Sequence, residues 1–137
     1  MQKLYEKTLL GDTEFINSTL DANHDDLVSS FDKSDEDVVS LVFQISYTYA
    51  KRFHDIQKES TTIRGRSDFY FLPSASAPMP WLIELKHNGT AGSAIRQIKK
   101  KRYADILGSY KGKVLLLGIN CNEKTMKHTS KVEIIEI

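Results

Sequence analysis

The sequence predicts a three-layer α/β or α+β fold, a sheet covered by helices, in the order helix, three strands, helix, strand. Three observations carry this. Two short apolar runs, 66–72 and 81–86, flank a Pro/Ser/Ala segment at 73–80 and read as a hairpin. The run KVLLLGIN at 113–120 is the most apolar in the chain and suits a central strand covered on both faces. Amphipathic helical spacing before the hairpin and after it supplies the outer layers.

The N-terminal 30 residues read as a small helical arm. Leu4, Leu9 and Leu10 form a short stripe ending at Gly11, a C-cap signal. Asp12 or Thr13 can cap a second helix carrying Phe15, Ile16 and Leu20, with only a partial capping box because position 15 is Phe. The acids at 35–37 open the next helix, whose Val38, Leu41, Val42, Ile45 and Tyr49 recur at helical spacing to about Arg52. Residues 53–60 form the first strand, and Gly65 suits a turn or bulge before the second. After the loop at 88–92, Ser93 caps a helix expected to reach Leu107, with Ala94, Ile98, Ala104, Ile106 and Leu107 inward and its bases outward. A turn at 108–112 leads to the central strand, and Val132–Ile137 closes the chain as an edge strand. The expected division is an arm at 1–31 and a domain at 32–137.

Size and composition fit one globular unit: 137 residues, 40% hydrophobic and 27% charged. A net charge of +1 hides an uneven distribution. Residues 12–37 hold nine acids and one base, Lys33, whereas 96–102 hold five bases and no acid. Such asymmetry can steer an anion to one face. With one cysteine, Cys121, neither a disulfide framework nor a zinc cluster is expected within one chain. No apolar run approaches the roughly 18–20 residues of a membrane span, and the first residues lack the apolar core of a signal peptide. The expectation is a cytoplasmic protein without membrane contact.

Chemistry concentrates in the hairpin. Asp68, Glu84 and Lys86 interrupt strands otherwise made for burial, where ionisable residues need a partner or a task. Glu84 and Lys86 are two apart and share a strand face, and pairing of the two strands can set Asp68 across from Glu84. Two converging carboxylates repel unless a cation lies between them. Hard oxygen ligands suit Mg2+ or Mn2+, and Lys86 is then placed to orient or deprotonate a water, so the expected chemistry is metal-assisted phosphodiester hydrolysis. The plainer alternative is a structural ion pair between Lys86 and a carboxylate.

Gly65-Arg66-Ser67-Asp68, fifteen residues, then Glu84-Leu85-Lys86 resembles the PD-(D/E)XK nuclease superfamily. The likeness looks closest to a bacterial branch found C-terminal to AAA-ATPase-like domains, in which the hairpin is followed by a segment like Gln97–Ala104 and a strand end like Gly118-Ile119-Asn120. It implies a restriction-endonuclease-like core, a central mixed sheet flanked by helices. It also implies catalytic roles for Asp68, Glu84 and Lys86, with Leu85 joining the two acids in the metal set. Ser67 stands where the motif names Pro. A glutamate of the first core helix often completes such sites, and Glu36 matches it best; an acid complementing the helix dipole is the other reading. Implied partners are nucleic acid, DNA ahead of RNA, an AAA-ATPase-like domain and a second copy in a homodimer. A non-catalytic binding or docking module on the same fold is the competing class.

Supporting residues follow from position. Arg64 and Arg66 flank the hairpin and suit phosphate contacts, and Lys100 belongs to the basic run, whose alternative is a solvated helix face. Gln97 can approach the site as the superfamily's helix Gln does, whereas Tyr103 is either a nucleic-acid contact or a boundary residue. Glu59 can approach the metal from the first strand. His24, His54, His87 and His128 show no metal-ligand spacing, and Cys121 reads as a small buried residue at a strand end.

Overall fold

Among the described residues, five strands, β1 (His54–Ser60), β2 (Arg66–Pro73), β3 (Trp81–His87), β4 (Lys113–Cys121) and β5 (His128–Glu136), pair in chain order into one sheet. The computed structural model describes residues 2–28, 36–60, 66–74, 79–101 and 103–137. Neighbours are antiparallel except β3 and β4, which run parallel. Parallel neighbours need a crossover, and α4 (Ala91–Lys100) with α5 (Tyr103–Leu107) supplies it. Strand β4 is buried from Val114 to Cys121, as its apolar run predicts. Strand β5 is an edge and begins at His128 rather than Val132.

Helices α1 (Gln2–Leu9), α2 (Thr13–Val28) and α3 (Glu36–Ser46) precede the sheet, with a 3-10 helix at Thr48–Arg52. Gly11 takes φ 72°, and Asp12 Oδ1 accepts from Phe15 N at 3.1 Å, so Asp12 is the cap that opens α2. The helix expected to reach Arg52 instead leaves α geometry after Ser46. The Thr48 hydroxyl donates back to the Gln44 and Ile45 carbonyls at 2.9 and 3.0 Å, and Ala50 N bonds Tyr47 O, tightening the last turn.

The helix predicted from Ser93 to Leu107 differs at both its start and its middle. Thr90 is the cap: its hydroxyl accepts from Ser93 N at 2.9 Å, and Ser93 is the reciprocal partner three residues on. At Lys101 the backbone turns extended (φ −77°, ψ 154°), which separates α4 from α5. Ala94 and Ile98 are buried as expected, but Ala104 is exposed.

Each sheet face has its own apolar cluster. One joins Phe69, Phe71, Trp81, Ile83, Leu85, Leu115, Leu117 and Ile119 to Leu4, Tyr5, Ile16, Leu20, Val42, Phe43 and Tyr47. Its aromatic rings interlock, with Tyr5 stacked on Trp81 and Phe43 tilted on Phe69, each at 4.8 Å between centroids. Helices α1 and α2 therefore contribute to the same core as the sheet. The smaller cluster packs Tyr70, Leu82, Val114 and Leu116 against Ile95 and Ile98 of α4. No helix among the described residues is long and apolar enough to cross a membrane.

Candidate active site

Pairing of β1, β2 and β3 aligns three acids in one row: Glu59 opposite Asp68, and Asp68 opposite Glu84. Residues directly opposite across a ladder share a face, and Tyr70 and Leu82 place that face under α4. Asp68 is 2% exposed and Glu84 is fully buried. Two carboxylates this deep need a positive charge between them.

Lys101 provides one. Its ammonium pairs with Asp68 Oδ2 and lies 3.3 Å from Glu84 Oε1. This corrects the expectation that the bases of the 96–102 run all face out. Among the described residues, Asp68 Oδ1 accepts no hydrogen bond. Two converging carboxylates with an unused buried oxygen on Asp68 fit a hard divalent cation such as Mg2+ or Mn2+.

Beside this pair, Tyr70 donates to Glu59 Oε2 at 2.5 Å. Burial, then the Glu59 contact and the Asp68 and Glu84 charges, push the Tyr70 phenol above its ordinary range, so it stays a donor. Lys86 follows Glu84 on the same face, opposite Arg66 on β2 and Asn120 on β4. It is half-buried, and its stem lies under Gly89, where an added Cβ would come within 3.0 Å of Lys86 Cδ. Asn120 Oδ1 holds that loop by accepting from Gly89 N at 2.8 Å.

A family model of the PD-(D/E)XK nuclease superfamily matches residues 35–131, from the start of α3 into β5. The chain belongs to this superfamily. Comparisons with curated proteins and with solved structures gave no match. The mixed sheet flanked by helices is the restriction-endonuclease-like arrangement that the resemblance implies.

Within the superfamily frame, the structure brings Asp68 and Glu84 together and sets Lys86 two residues past Glu84 on the same strand. The Leu85 side chain is buried in the opposite cluster, so only its main chain can offer the ion an oxygen. Glu36 begins α3, which packs through Phe43 on the Phe69–Phe71 face, away from the acids. The Glu36 and Arg66 side chains lie outside the described residues, as do Arg64, Gly65 and Arg102 entirely. On α4, Gln97 is half-buried and Lys100 exposed. Tyr103 is half-buried against the smaller cluster, and burial raises its phenol.

Lys101 and Tyr70 are the site residues that sequence reasoning missed. A signal for Lys101 was present: Ala91, Ala94, Ile95 and Ile98 face inward, and the next inward step of that stripe is position 101.

Proposed function

We propose that the chain is a metal-dependent nuclease that hydrolyses phosphodiester bonds of nucleic acid, DNA ahead of RNA. The observation that carries this reading is the buried Asp68–Glu84 pair, aligned on adjacent strands around one shared cation with Lys86 on the same face. When bound, Mg2+ or Mn2+ supplies Lewis-acid stabilisation of phosphate charge and lowers the pKa of a coordinated water. Asp68 and Glu84 are the residues that would hold it. Lys86 orients the attacking water and offsets the negative charge that develops on the phosphate. Arg66 and the exposed Arg96 and Lys100 contact the phosphodiester backbone. Lys101 holds the two carboxylates together in the ion's absence.

Incubation with single-stranded, duplex and branched DNA and with RNA, in Mg2+, Mn2+ or EDTA, tests the reading. Cleavage is expected with metal and lost in EDTA and in Lys86→Ala. Should no substrate be cut, or should Lys86→Ala cut as well as the parent chain, the assignment fails. Lys101 also favours a second reading, since a lysine that pairs with both acids suits a module that binds nucleic acid without cutting it. Binding by the parent chain without cleavage in any metal selects that reading.

A further inference from the structure

The sheet face opposite the acids carries a second polar cluster, at the far end of β3, β4 and β5. His87, Cys121 and His128 stand in one row there, paired strand to strand. His24 comes down on the row from α2, its Nδ1 3.9 Å from Cys121 Sγ, and its ring centroid lies 5.2 Å from that of His128. His24, Cys121 and His128 are all buried, at 0%, 0% and 4% exposure. One potential ligand atom from each lies within 4.8 Å of the other two.

We propose that His24, Cys121 and His128 form a binding site for a transition-metal ion of the zinc class, with His87 in the fourth position. Imidazole nitrogens and a thiolate are the donors that zinc selects over the oxygen-seeking Mg2+ and Mn2+. Ligands about 2.0–2.3 Å from a tetrahedral ion lie roughly 3.3–3.6 Å from one another, so the cluster needs only a small contraction to close. Among the described residues, His87 Nε2 is buried and makes no hydrogen bond, a poor state for a ring nitrogen unless something binds it.

The surroundings favour ligation over a chance gathering of histidines. Asp21 Oδ1 accepts from His128 Nδ1 at 2.9 Å and from the His128 main-chain N at 2.7 Å. That leaves Nε2 of the ring for a metal and fixes the tautomer, which is how a carboxylate positions a ligating histidine. Ser130 donates to Asn17 at 2.6 Å, a second tie between α2 and β5. His24 lies outside the residues matched by the superfamily model, whereas His87, Cys121 and His128 lie within them. The ion therefore fastens the N-terminal helices to the end of the nuclease-family sheet. Its role is structural, on the face away from Asp68 and Glu84.

Cobalt(II) titration of the reduced, metal-stripped full chain tests the site. One equivalent is expected to bind with thiolate-to-cobalt charge-transfer absorption and tetrahedral visible bands, and zinc is expected to displace it and raise Tm. Running the titration in Asp68→Asn as well separates this site from the carboxylate pair, which cannot give a thiolate band. Cys121→Ser is expected to lose that band. Asp21→Asn, a positioning variant, is expected to keep it with zinc affinity lowered about 10–100-fold. No thiolate band in the parent chain, or zinc uptake unchanged in Cys121→Ser and His128→Asn, overturns the proposal. Unchanged zinc affinity in His87→Ala overturns the fourth ligand.

Discussion

The two faces of the central strands divide the work of the molecule. Toward α1–α3, strands β2–β4 present Phe69, Phe71, Trp81, Ile83, Leu85, Leu115 and Leu117, all buried among rings and aliphatic side chains. Toward α4, the residues between them include Asp68 and Glu84, with a much smaller apolar cluster alongside. Strand pleating makes this possible, since alternate residues point to opposite sides. The aromatic face gains free energy from burial, whereas the acidic face gives some up by drawing two carboxylates and a lysine out of water. Stability on one face permits charge on the other.

The largest effects should separate the faces cleanly. Asp68→Asn is expected to lower cleavage on the order of 10³-fold or more, about 4 kcal/mol at ~1.4 kcal/mol per decade, while the urea midpoint changes little. Phe71→Ala is expected to do the converse, costing about 3–5 kcal/mol of stability with near-parental cleavage per folded molecule. Measuring both quantities in both variants is the check. If Asp68→Asn unfolds the chain, or Phe71→Ala lowers cleavage per folded molecule as far as Asp68→Asn does, the division of labour is wrong.

Lys101 links charge on the acidic face to stability. Lys101→Met leaves Asp68 and Glu84 buried without the ammonium between them, which is expected to cost on the order of 3 kcal/mol. Added Mg2+ should restore most of that loss, because it supplies the missing positive charge. Urea melts with and without Mg2+ decide it: a midpoint unaffected by the substitution in metal-free buffer would show that the ion triad is not what keeps the carboxylates buried.

The order helix, three strands, helix, strand was legible because each element carries its own period, 2 in the hairpin and about 3.6 in α3 and α4. The facing of Asp68 and Glu84 was legible too, from strand parity and hairpin pairing. Tertiary competition hid the rest. A run of five bases reads as a solvated face, which masks the inward step of the α4 stripe at position 101, where Lys101 meets the buried acids. His24 and Cys121 meet across 97 residues, a separation that no local spacing reports. The N-terminal helices read only as a small arm because the stripe of Leu4, Leu9 and Leu10 is short, and the stacking of Tyr5 on Trp81 is a contact that a local pattern does not encode.

The aromatic face has a charge question of its own. His54 is 4% exposed and shares a 2.8 Å hydrogen bond with the Tyr5 hydroxyl. Burial lowers its pKa from 6.5 to about 4. A group held neutral in the fold gives its full stability above the unfolded value and loses it as pH falls toward the folded one. The window is therefore about pH 6.5 down to about 4, and the loss reaches up to about 3 kcal/mol. Stability measured at pH 7 and pH 4.5 should fall further in the parent chain than in His54→Gln. Equal falls would mean that His54 is not kept neutral by the core.

The smallest expected effect falls where helix and acidic face touch. Gly118 continues the row of Glu59, Asp68 and Glu84 onto β4, on the side covered by α4. A Cβ there would lie 2.6 Å from the Ala91 carbonyl oxygen and 3.0 Å from Ala94 Cβ, so α4 rests on the sheet where a side chain is missing. Gly118→Ala must lift the start of α4, since a main-chain oxygen cannot step aside as a flexible side chain can. Overpacking of this kind costs about 1–3 kcal/mol. Because α4 also delivers Lys101, the disturbance should reach the Asp68–Glu84 pair while the Tyr5–Trp81 stack stays in place. Tryptophan fluorescence near the parental value, together with reduced cleavage and a lower urea midpoint, is the expected pattern. A Trp81 signal that shifts as far as the midpoint would mean that the two faces move as one, and the separation argued for them would not hold at Gly118.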